Sequence, residues 1–197
     1  MIETAPADKG ARVIGVLKYV AAGALAFQAV HVVEHLAQFG YWIAHPGEAP
    51  WLTPWAAHGR DALAVGGEAL GNELLHLIGN LIFLGGLLAL VILCRRTGKS
   101  ASDFPNLRIA TVVQGFHVAE HVALTTTSFV LGKSIGLSTL LGLVDGPMMT
   151  SYRVWFHFVV NLIATWYAGR ALAEMNAGGL ITLPTSATRR AATAIGH

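Results

Sequence analysis

Hydrophobic residues fall into four long stretches along this chain, roughly Val13 to Ile43, Leu70 to Leu93, Leu107 to Leu131 and Tyr152 to Ala173. Each reaches the ~20 apolar residues that a helix needs to cross a bilayer. A further apolar run, Ile135 to Val144, is too short to span. It reads as an interfacial or re-entrant piece, stopped by a turn at Asp145-Gly146-Pro147. The connections are polar. Pro46 to Gly67 carries Pro46, Pro50 and Pro54 with Trp51 and Trp55, so it is expected to lie at the interface and cap the bundle mouth. Thr97 to Pro105 is a polar loop with Ser102 or Asp103 as the helix-start signal. The apolar stretch after the polar segment Met1 to Arg12 is too long for a signal-peptide core and is read as a retained span. The pattern predicts an all-α integral membrane protein. Residues 1–175 form a bundle of four transmembrane helices, and 176–197 form a flexible cytoplasmic tail.

Polar residues interrupt these stretches in a fixed order. Gln28-x-x-His31-x-x-Glu34-His35 returns as Gln114-x-x-His117-x-x-Glu120-His121. His76-x-x-x-Asn80-Leu81-Ile82 returns as His157-x-x-x-Asn161-Leu162-Ile163. The chain therefore reads as two duplicated helical hairpins, repeat one over about 13–93 and repeat two over about 107–173. At about 100° per residue, Gln28, His31 and His35 fall within about 60° of one another, with Glu34 on the flank. Gln114, His117, His121 and Glu120 repeat this geometry. Glu73, His76 and Asn80 form one stripe on the second span. On the fourth, His157 and Asn161 do so, with Val154 where Glu73 would stand. The histidines also lie at similar distances from the expected outer helix ends, so the spans can present imidazoles at one level.

Composition agrees with a membrane class: only 12% of residues are charged, against about 25% in soluble domains. The formal charge of +2 is too small and scattered to favour nucleic acid. Cys94 is the sole cysteine, which excludes an internal disulfide framework and a cysteine-based metal site. Basic residues set the orientation. Lys9, Arg12 and Lys18 precede the first span, Arg95, Arg96, Lys99 and Arg108 separate the second from the third, and Arg170, Arg189 and Arg190 follow the fourth. The other two loops hold Arg60, Lys133 and Arg153 against Glu48, Asp61, Glu68 and Asp145. Both termini are therefore expected in the cytoplasm, of a bacterial cell by this reading. The hairpins then run parallel, related by a pseudo-two-fold axis along the membrane normal.

Ionisable groups inside an apolar helix cost roughly 2.5–3.5 kcal/mol each on insertion scales and are normally kept for function. Histidines at i and i+4 leave one helix face together and clamp a metal. The expected ligands are His31, Glu34, His35, Glu73, His76, His117, Glu120, His121 and His157. Glu34 and Glu120 are expected to ligate or to act as catalytic bases. Gln28, Asn80, Gln114 and Asn161 are expected to orient the ligands by hydrogen bonds. This inventory suits two divalent transition-metal ions, with iron favoured and zinc or copper alternatives. The implied activity is a non-haem metal-dependent oxidoreductase or oxygenase, drawing a lipophilic or small substrate from membrane lipid and electrons from a donor. A homo-oligomer or a larger membrane complex fits that role. His-x-x-Glu-His also matches an inverted zinc-protease signature, but it occurs twice here and no soluble protease domain surrounds it. Two alternatives stand beside the dinuclear reading. One is a b-type haem electron-transfer protein, with Gly79 and Gly115 admitting the porphyrin near His76 and His117. The other is a metal-ion or proton transporter, with His58, Glu68 and Glu73 at an outer entry.

Overall fold

The computed structural model describes residues 6–46, 48, 51–143 and 146–181, and no strand occurs among them. Helix α1 runs Pro6–Ala44, α2 Pro54–Leu63, α3 Glu68–Arg96, α4 Pro105–Leu131 and α5 Pro147–Ala177. The four long helices pack in the cyclic order α1, α3, α4, α5, with α5 returning to α1, while the short α2 lies on α3. Among the described residues, two helices are long and apolar enough to cross a membrane, α1 from Gly10 and α3 throughout. The histidines, glutamate, glutamine and threonines within α4 lower its hydropathy.

Helix boundaries follow local chemistry. Helix α1 starts at Pro6, ahead of the expected apolar boundary, and its 39 residues reach about 58 Å at 1.5 Å per residue. The loop expected from Pro46 to Gly67 contains α2. Thr53 caps that helix by accepting from the Ala56 amide, and Pro54 supplies a first-turn residue that has no amide to satisfy. The helix-start signal expected at Ser102 or Asp103 belongs instead to a short 3-10 turn, Ala101–Asp103, which Ser100 and Asp103 cap reciprocally. Helix α4 begins after it, at Pro105. Residues Leu137–Gly142 form a second 3-10 segment, where Leu140 and Leu141 take φ of 48° and 56°. Left-handed backbone disfavours a β-carbon, so two consecutive leucines there are strained. The tail expected over 176–197 lies largely outside the described residues: α5 and a closing turn account for 176–181. Asp145 of the expected turn also lies outside them.

The bundle interior divides in two. One end is apolar: Phe83, Leu87, Leu90 and Leu93 of α3 meet Leu107 of α4 and Ala168 and Met175 of α5. Cys94 is fully buried in this core. Gly86 lets α1 approach α3 closely, because a β-carbon there would collide with Ala24. The other end holds Gln28, His35, Glu73, Gln114, His117, His121 and His157, all buried. Outside, the helices expose large apolar residues, including Val30 and Val33 of α1, Val112 and Phe129 of α4, and Leu162 and Trp166 of α5. Polar inside and apolar outside is the reverse of a soluble bundle's distribution.

Candidate metal centre

Six imidazoles converge in the polar end. On α1, His31 and His35 stand one turn apart with their Nε2 atoms 3.1 Å from each other. Their ring centroids lie 6.1 and 5.9 Å from that of His76 on α3. His76 stacks on His121 of α4 at 5.6 Å and lies 6.4 Å from His157 of α5. His121 is 4.8 Å from both His117 and His157. The cluster is thus continuous and draws on four helices. In its α4/α5 part, His117, His121 and His157 place one potential ligand atom each within 4.8 Å of one another.

Several of these nitrogens are buried with no hydrogen-bond partner: Nδ1 and Nε2 of His117, both of His121, and Nε2 of His157. Burying a polar atom unpaired costs about 1–3 kcal/mol, and native interiors tolerate few such atoms. Orientation is not left to chance. Nδ1 of His76 donates to the carbonyl of Asn72 at 2.8 Å, and Nδ1 of His157 to that of Arg153 at 3.0 Å. A carbonyl can only accept, so each of these rings carries its proton on Nδ1 and leaves Nε2 as the donor atom for a metal.

Glu73 sits beside this cluster. Its Oε1 accepts from Arg153 of α5 at 2.5 Å and from Ser134 at 2.7 Å. Its Oε2 is buried, has no hydrogen-bond partner and lies 4.0 Å from Nδ1 of His121.

The other two glutamates face a different task. Glu34 accepts from Gln38 at 3.1 Å, from the Thr53 amide at 3.2 Å and, in a short contact, from the Thr53 hydroxyl. Glu120 accepts from the amides of Leu137 at 3.0 Å and Ser138 at 2.8 Å. Each carboxylate thus ties a histidine-bearing helix to the connection that follows it. Gly136 makes room for the second tie, since a β-carbon there would stand 2.5 Å from Oε1 of Glu120.

The amides cross between the repeated motifs. Gln28 donates to Asn161 at 3.2 Å and to Thr165 at 2.9 Å. Gln114 donates to the Asn80 side chain at 2.8 Å and to its carbonyl at 3.1 Å. Asn80 and Asn161 in turn donate to the carbonyls of His76 and His157. Each motif's glutamine therefore braces the helix that carries the other motif's asparagine and histidine.

Of the predicted site residues, the six histidines and Glu73 share one cluster, while Gln28, Asn80, Gln114 and Asn161 lie in the network beneath it. Glu34 and Glu120 are joined to the loops. His58 and Glu68 are exposed: His58 bonds the Pro54 carbonyl and Glu68 pairs with Arg60 at 3.4 Å. At Gly79 a β-carbon would meet the Phe27 ring, and Gly115 has no atom near its missing β-carbon. Sequence reasoning missed Arg153, Ser134, Thr53 and Thr165. Arg153 had a signal, a lone cation one turn before His157, but it was counted only for topology. An apolar groove of about 490 Å³ opens between α3 and α4, lined by Val65, Leu70, Leu74, Thr125 and Phe129.

Over residues 11–177 the chain matches, and belongs to, a family of unknown function, DUF6008. No curated protein and no solved structure matches it.

Proposed function

We propose that this chain is a four-span membrane metalloprotein that holds two transition-metal ions among its six converged histidines and uses them for redox chemistry. The observation that carries this reading is the set of buried, unpartnered nitrogens on His117, His121 and His157, within ligand reach of one another. Packing alone gives no reason to bury five such atoms together. An ion held by His117, His121 and His157 would satisfy three of them, and a second on His31, His35 and His76 would give a centre with coordination positions left for substrate.

The engagement of Glu34 and Glu120 by loop amides shifts the donor set toward nitrogen. Nitrogen-rich sites suit copper or zinc at least as well as iron. Ring-to-ring packing at 4.5–6.4 Å and the Phe27 ring beside Gly79 favour small ions over a porphyrin. The apolar groove between α3 and α4 supports delivery of a lipophilic substrate from the bilayer. The duplicated motifs and the crossed glutamines support two parallel hairpins, and the apolar exterior of all four long helices supports four spans.

Elemental analysis and an optical spectrum of protein purified in detergent test the reading. Two copper or iron ions per chain, lost together in His76→Ala/His121→Ala, are the expected result, and two zinc ions would keep the centre but overturn its redox use. A Soret band would replace the ions with haem, and less than one ion per chain after metal loading would overturn the proposal.

A further inference from the structure

The repeated motifs are not equivalent at one position, and that position lies at the cluster. Glu73 precedes His76 by three residues, while Val154 occupies the matching place before His157. One carboxylate therefore serves both halves, and the structure fixes which half it faces. Oε1 is pinned by Arg153 and Ser134, from α5 and the segment after α4. Oε2 points the other way, buried and unpartnered, 4.0 Å from His121. Two donor atoms on one tetrahedral ion stand about 3.4 Å apart at bond lengths of 2.0–2.2 Å. A small side-chain rotation closes the difference.

We infer that the two metal positions differ in role: Glu73 completes a closed four-ligand site with His117, His121 and His157, leaving the ion at His31, His35 and His76 as the exchangeable, reactive one. The inference rests on the two-ion reading above. Exposure points the same way. His117 and His121 are at most 1% exposed, whereas His31 and His76 are only partly buried; His35 and His157 are alike, at 5% and 6%. Closed four-ligand sites are structural, and three-ligand sites with an open position are the catalytic ones. Arg153 is a positioning residue here. By holding Oε1 it turns Oε2 toward the imidazoles.

Stepwise loading of metal-stripped protein in detergent with Co²⁺ tests this, because cobalt's visible spectrum reports coordination number. The wild type should bind in two resolved steps, the first with the intense bands of a four-coordinate ion. Glu73→Gln keeps the shape and an acceptor for Arg153 and should weaken the first step at least tenfold, leaving the second in place. His31→Ala should abolish the second step alone. Two ions taken up in one unresolved step would overturn the inference while leaving the dinuclear reading standing, as would a first step indifferent to Glu73→Gln. A wild type that binds no cobalt, zinc or copper would overturn both. If Glu73→Gln does not purify folded, His31→Ala and His117→Ala decide between ordered and equivalent sites, since equivalent sites lose one ion of the same affinity in either variant.

Discussion

Glu120 shows how much one side chain does between the helices and the outer segment. Its two oxygens accept two backbone amides, and it is only 5% exposed. Hydrogen bonds to a charged group contribute about 1.5–3 kcal/mol each. They hold a segment that includes the strained Leu140 and Leu141. Glu120→Ala should therefore lower stability by about 3 kcal/mol, read as a fall in apparent Tm in detergent, while two ions remain bound at saturating metal. Loss of one ion with unchanged Tm would instead make the carboxylate a ligand. Gly136→Ala should reproduce the destabilisation without removing a polar group, because the new methyl meets the Glu120 carboxylate rather than an unfavourable φ. The glutamates read as ligands from sequence because they adjoin histidines in the string. Nothing in that string tells that amides 17 to 19 residues further on fold back onto them. Residue type and spacing located these side chains; the direction each one faces depended on loop conformation, which carries no periodic signal.

At the scale of elements, the crossed amides couple helices that a hairpin alone would leave independent. Gln28 of α1 reaches Asn161 of α5, and Gln114 of α4 reaches Asn80 of α3. A double-mutant cycle between Gln28→Leu and Asn161→Leu should give a coupling of about 0.6–1.7 kcal/mol, the range of interhelical hydrogen bonds in membrane proteins. Gln28→Leu should also perturb the proposed metal site of α4 and α5, through Asn161 and the His157 carbonyl, more than that proposed on its own helix. A cobalt spectrum changed only at the His31 position would contradict the crossing. The recurrence of four amide positions at fixed spacing from the histidines was legible in the sequence. Their pairing across the repeats was not, because spacing along one helix does not say which neighbour it meets. Helix α2 was missed for a related reason. Its prolines and tryptophans read as loop and interface, yet Thr53 and Pro54 also make a helix start, and the short helix is stabilised by packing on α3.

The whole molecule separates an apolar end from a polar one, and charge falls along the same axis. Arg95, Arg96 and Lys99 lie at the apolar end, where Lys99 also donates to the carbonyl of Gly178 and Asn106 to Glu174. At the polar end, Arg60 pairs with Asp61 at 2.8 Å and Arg153 with Glu73 at 2.5 Å, so these cations contribute little net positive charge to that side. Cytoplasmic loops carry an excess of Lys and Arg whatever acids lie beside them, so the proposed orientation puts the apolar end in the cytoplasm. Among the described residues α1 and α3 alone qualify by hydropathy, while α4 carries polar groups inside the stretch proposed to cross. Four crossings therefore rest on the apolar exterior rather than on average hydropathy, and topology is the measurement that tests it. Reporter fusions at residue 100 and at the C-terminus should both read as cytoplasmic, and an insertion at residue 140 as external. If α4 and α5 failed to cross, residue 140 would lie on the same side as residue 100. The polar end of the bundle would then have no common depth in the membrane, and a shared metal centre drawing on α1 and α3 as well as α4 and α5 would be excluded.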